Sequence, residues 1–103
     1  MVVLIQTQCA SPAEARAIAT ALLDEKLVAC ATIGAEVQSR YRWRGNLEES
    51  CETPLQLKTV ADRLPAVEAV IRRLHSYEMP ELIATAVVGG NAEYLAWVEA
   101  SLE

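Results

Sequence analysis

The tetrapeptide Ser11-Pro12-Ala13-Glu14, lying between two apolar runs, sets the plan of the first third of this chain. Ser11 is a helix N-cap, Pro12 takes the first helical position where no N–H is needed, and Glu14 completes a capping box. Upstream, the β-branched run Val2–Thr7 reads as a buried strand. Downstream, Ala15, Ile18, Ala19, Leu22 and Leu23 recur at three-and-four spacing on one helix face, which Asp24-Glu25-Lys26 closes. The apolar stretch Val28–Ile33 returns as a second strand, giving strand–helix–strand with a right-handed crossover.

The remainder repeats that plan after a hairpin. From Glu36 to Trp43, Val37, Ser39, Tyr41 and Trp43 share one strand face, and Glu36, Gln38, Arg40 and Arg42 share the other. Arg44-Gly45-Asn46 marks a turn, and Leu47–Thr59 reads as a long return strand in which Pro54 needs an edge position or a bulge. A second helix begins near Asp62 with Leu64, Val67, Ile71 and Leu74 as its apolar stripe, and Pro65 falls in its first turn. Leu82–Val88 is a further strand ended by Gly89-Gly90, after which Asn91 caps a last helix bearing Tyr94, Trp97, Val98 and Leu102. The order β-α-β-β-α-β plus a C-terminal helix predicts an α+β, ferredoxin-like split β-α-β sandwich, one domain over residues 1–103.

Charge and cysteine usage narrow the function classes. Nine Lys+Arg against fourteen Asp+Glu give a net charge of −5, without the basic footprint of a nucleic-acid binder. Arg40-Tyr41-Arg42-Trp43-Arg44 is locally basic and aromatic, but strand alternation puts its cations and rings on opposite faces. It reads instead as a projecting hairpin whose aromatic face needs a partner surface. No stretch approaches a membrane span, so no membrane insertion is expected. The start lacks a cationic n-region, and Cys9, Cys30 and Cys51 form no Cys-x-x-Cys pattern. Both points suggest reduced thiols in a cytoplasmic protein. Cys9 ends one strand and Cys30 begins the next parallel one, so they should lie at opposite ends of the sheet, too far apart for a disulfide.

His75-Ser76-Tyr77-Glu78-Met79-Pro80-Glu81 is the densest polar and aromatic segment. His75 with Glu78 and Glu81 suits zinc or copper by ligand type, whereas the structural alternative is a histidine capping the last helix carbonyls. Gly89-Gly90-Asn91 is either a turn with an N-cap or an anion site. No activated nucleophile is visible, which argues against a hydrolase built on His75 and Glu81.

Five spaced motifs then make a pattern: Glu25-Lys26-Leu27-Val28-Ala29-Cys30, Tyr41-Arg42-Trp43-Arg44-Gly45, Leu55-Gln56-Leu57-Lys58-Thr59, the His75–Glu81 stretch and Tyr94-Leu95-Ala96-Trp97. Over essentially the whole chain they resemble the CutA family of divalent-cation-tolerance proteins, with Ser76 standing where that family usually has proline. The resemblance implies a non-enzymatic homotrimer of PII-like architecture with ligand clefts between subunits, and binding of copper or another divalent metal. By position, Cys9, Cys30 and His75 match places proposed for metal contact, and Lys58, Tyr77, Glu81, Tyr94 and Trp97 match the cleft. The expected function is tolerance of divalent metal ions. The alternative is a PII-like sensor trimer binding a small metabolite between subunits.

Overall fold

In the computed structural model, which describes residues 1–103, the strands are β1 (Val2–Cys9), β2 (Cys30–Ile33), β3 (Val37–Trp43), β4 (Asn46–Val60) and β5 (Ile83–Ala86). The helices are α1 (Pro12–Asp24), α2 (Leu64–Leu74) and α3 (Ala92–Ala100), and Ala61–Arg63 forms a 3-10 turn leading into α2. The sheet order is β2-β4-β1-β5, with β3 also paired to β4. Every pairing is antiparallel, and β4 stands between β1 and β2. The α+β, ferredoxin-like split β-α-β plan is therefore present.

Alternation along β1 and β4 sends Ile5, Cys9, Leu55 and Leu57 to one face. There they meet Ile18 and Leu22 of α1 and Val67 and Ile71 of α2 in a single buried cluster. Helix α3 lies against β1 and β4, with Val98 and Leu102 buried outside that cluster. Cys9 is level with Thr53 of β4 and Cys30 with Lys58, five residues along and one strand to either side. Strand spacing then separates the two by roughly 20 Å, and all three cysteines are free.

Pro54 sits neither at a bulge nor at an outer strand. Its side of β4 pairs with β2 up to Leu55 and with β3 from Glu52, and the Gly34 N–H reaches the Pro54 carbonyl at 2.9 Å. The missing N–H therefore faces the gap where one partner is exchanged for the other. Beyond it, β3 and the outer half of β4 project as a hairpin whose two-residue turn has Arg44 at φ 50° and Gly45 at φ 82°, the geometry of a type I′ turn. This turn carries Arg44 back over the Trp43 ring at 5.4 Å, so a cation and an aromatic do meet here despite the strand alternation.

Candidate functional site

The end of β1, the start of α1 and the segment after α2 converge on Glu14. Ser11 accepts the Glu14 N–H at 3.1 Å, the first half of the expected capping box, but the carboxylate answers to the Ala10 N–H rather than to that of Ser11. The Glu14 carboxylate reaches further than its own cap. Oε2 accepts the Ala10 N–H at 2.8 Å and Oε1 accepts the Ser76 N–H at 2.9 Å, joining positions 62 residues apart. Burial alone would raise the Glu14 carboxyl, but these hydrogen bonds outweigh it and hold the group below the usual carboxylate range.

His75 is buried at the C-terminus of α2, where its N–H meets the Ile71 carbonyl. Its ring does not cap the last helix carbonyls. Nε2 donates across to the Gln8 carbonyl of β1 at 2.8 Å, while Nδ1 accepts the Tyr77 N–H at 3.1 Å, and these two partners set the tautomer. Pro80 keeps this segment out of helix, so the chain is free to fold back on β1. Nδ1 also lies 3.6 Å from Glu14 Oε2.

Cys9 is fully buried beside this pair, and one donor atom each from Cys9, Glu14 and His75 lie within 4.8 Å of one another. Burial, aided by the charges of Glu14 and Glu52, pushes the Cys9 thiol up to about 11. Thiol, carboxylate and imidazole fit a copper or zinc ion in kind. A metal here would nevertheless have to displace the thiol proton and the backbone N–H groups already held by Glu14 and Nδ1.

Next to this cluster, the hairpin and the Tyr77–Glu81 segment enclose a cleft of about 560 Å³. Gln8, Tyr41, Trp43, Glu52, Tyr77 and Glu81 are among its walls. Glu52 shares a face with Tyr41 because Val37 pairs with Glu52 and Tyr41 with Glu48. The Tyr77 hydroxyl donates to Glu52 Oε2 at 2.9 Å, and burial together with that carboxylate raises the phenol well above its ordinary range. Burial and the Glu52 charge likewise raise the Glu81 carboxyl.

Of the residues matched to the cleft by sequence, Tyr77 and Glu81 meet here. Lys58 lies in mid-sheet with its ammonium 3.9 Å from Cys30 Sγ, and Tyr94 and Trp97 pair on exposed α3 with ring centres 5.5 Å apart. Of the three metal candidates, Cys9 and His75 meet, and Cys30 stands at the far end of the sheet. The sequence reading omitted Glu14, Gln8 and Glu52 from the site. Glu14 was visible only as a helix cap, and Gln8 and Glu52 required the strand register.

The CutA1 divalent ion tolerance protein family matches residues 3–101. Divalent-cation tolerance protein CutA of Thermus thermophilus is 40% identical over 84 residues, 82% of each chain, and that of Escherichia coli is 40% identical over 96 residues, 91% of this chain and 86% of that one. The chain spans about half the length of the mouse and human CutA proteins it matches at 37% identity. The solved Thermus thermophilus divalent cation tolerance protein superposes with a TM-score of 0.96 at 36% identity, covering 98% of both chains. The periplasmic divalent cation tolerance protein CutA of Archaeoglobus fulgidus also gives 0.96, at 31% identity over the full length of both. With the hairpin, the His75–Glu81 segment and the split sheet all in place, the chain belongs to the CutA1 divalent ion tolerance family.

Proposed function

We propose that this chain is a non-enzymatic protein of divalent-cation tolerance that works as a homotrimer and holds copper or another soft divalent ion weakly at Cys9, Glu14 and His75. The observation that carries the metal site is the convergence of three different donor types within 4.8 Å at the end of β1. Affinity is low because each donor except the thiol already accepts a hydrogen bond. Cys30 would join such a site only from another protomer. No helix is long and apolar enough to cross a membrane. Three free cysteines support a cytoplasmic setting as part of the same proposal. Titrating copper and zinc into the wild type, Cys9→Ser and His75→Ala tests the site. A loss of about tenfold or more in affinity is expected for each variant, and isotherms identical to the wild type would sink it.

A second reading is favoured by the cleft beside Tyr77 and Glu81. On that reading the trimer is a PII-like sensor that binds a small metabolite, with Lys58, Tyr94 and Trp97 supplied near the cleft by neighbouring protomers. A thermal-shift screen tests it, because a ligand specific to the folded state raises the melting temperature by mass action.

A further inference from the structure

We propose that Cys30 of β2 and Lys58 of β4 are a peroxide-responsive pair. Hydrogen peroxide oxidises the thiol, and the Lys58 amine then closes a reversible sulfur–nitrogen bridge between the two strands. The pair stands at the far end of the sheet from Cys9, so it is independent of the metal site proposed above.

The chain has two lysines, and they are placed very differently. Lys26 Nζ donates to the Glu103 carbonyl at 3.0 Å. Lys58 enters no ion pair, and the atom its ammonium reaches is Cys30 Sγ, at 3.9 Å. The register explains this. Cys30 and Lys58 are directly opposed across the β2–β4 ladder, which puts both side chains on one face. Leu4 and Thr85 complete that row, and Thr32, Gln56, Gln6 and Ile83 make the next one. Neither row holds a carboxylate, so no acid in them competes with the thiol for the lysine. The other cysteines lack this arrangement. Cys9 is fully buried in the core, and Cys51 lies on the exposed hairpin opposite Gln38. Cys30 is half-buried, which leaves it within reach of an oxidant little larger than water.

The chemistry balances with one oxidant. Cys30 Sγ attacks the peroxide, an S–O bond forms, the O–O bond breaks, and water leaves a sulfenic acid behind. Lys58, having given one proton to solvent, attacks that sulfur through its nitrogen lone pair. The S–N bond forms, the S–O bond breaks, and the hydroxide departs as water with a second amine proton. Sulfur has lost two electrons and the peroxide has gained them. One thiol, one ammonium and one hydrogen peroxide give one sulfenamide, two waters and one proton. Thr32 Oγ1, 3.9 Å from the same sulfur, can hydrogen-bond the leaving oxygen. The flexible four-carbon stem of lysine lets the nitrogen close the remaining gap without moving either strand. A second thiolate attacking the sulfur breaks the S–N bond and returns the amine, so the bridge is reversible. While closed, it clips β2 to β4 and removes the positive charge of Lys58.

The test treats the full chain as purified, carrying Cys51→Ser to remove the exposed hairpin thiol, with hydrogen peroxide. Intact mass is expected to fall by about 2 Da, and trypsin to stop cutting after Lys58. The peptides bearing Cys30 and Lys58 should then appear as one joined fragment that dithiothreitol separates. Lys58→Arg keeps the charge without the amine, so dimedone should trap Cys30 sulfenic acid about tenfold or more above the yield with Lys58 present. Lys58→Gln serves if Lys58→Arg fails to fold. Equal trapping with and without the lysine, or oxidation of Cys30 to sulfinic acid with no joined fragment, overturns the bridge. A Cys30 that stays reduced while Cys51 of the unsubstituted chain is oxidised overturns the site itself. A joined fragment that persists in Cys30→Ser assigns the link to another residue and overturns it equally.

Discussion

Glu14 shows how much one side chain ties together. Its two oxygens hold the Ala10 and Ser76 N–H groups, so the helix start, the strand end and the post-α2 segment share one anchor. In chelator-treated protein, Glu14→Gln is expected to cost about 1–3 kcal/mol at neutral pH, measured by urea denaturation, since the amide cannot accept at both positions. A carboxyl lowered on folding gives stability that is full above its unfolded pKa and lost as pH falls through the folded one. The gap between variant and wild type should therefore close in acid. Glu81 has the opposite sign. A raised carboxyl binds its proton more tightly in the folded state, so its ionisation subtracts stability as pH rises from the unfolded pKa through the folded one. Glu81→Gln should be as stable as the wild type or more so at neutral pH, with the difference vanishing in acid. Thermal melts across that range check this. Ser11 and Pro12 make the cap legible from sequence. The reach of the same carboxylate to Ser76 is not legible, because it depends on how the chain returns 62 residues later.

Among the elements, β4 organises the most. It has fifteen residues and serves β1 and β2 in one half and β3 in the other, with Pro54 near the exchange. Alternation and the turn signal are enough to read the hairpin, since both are local. The placing of Pro54 needs the register of three strands, so sequence alone leaves it between edge and bulge. Gly45 in the hairpin turn and Gly89 after β5 separate backbone conformation from space. Gly45 has φ 82° and nothing within 4 Å of a built Cβ, so Gly45→Ala is expected to cost about 1–2 kcal/mol for conformation alone. Gly89 is equally uncrowded but has no left-handed φ, so Gly89→Ala should be neutral or stabilising by up to about 1 kcal/mol. Equal effects for the two substitutions, in paired denaturant melts, would remove the turn argument.

At the scale of the molecule, the chain is extended for its mass. The surface of 6324 Å² exceeds the roughly 5,700 Å² expected for a compact chain of this mass. The Cα radius of gyration is 14.2 Å against about 12.8 Å. Ile83, Val88, Tyr94 and Trp97 leave apolar surface uncovered on β5, after it and on α3. The proposed trimer would cover such surface, so a native mass near three times 11.2 kDa is expected by light scattering. Trp97→Asp should shift the population towards monomer. A wild type that is monomeric at micromolar concentration contradicts the trimer. Apolar excess is visible in the sequence, but which of it stays exposed is decided only when the core has chosen its members.

The strand order carries a consequence for how the chain is made. β1 and β2 never pair with each other, and each bonds to β4, while β1 takes β5 on its other side. During synthesis, two hydrogen-bonding edges therefore emerge without a partner, and they wait until residue 60 has left the ribosome. The joining of β1 and β2 to β4 is then a late step of long-range closure, slow by its topology and open to mispairing with sister chains while it waits. The capped helix α1 and the β3–β4 hairpin, neither of which needs a distant partner to start, are the order the nascent chain can begin in that interval.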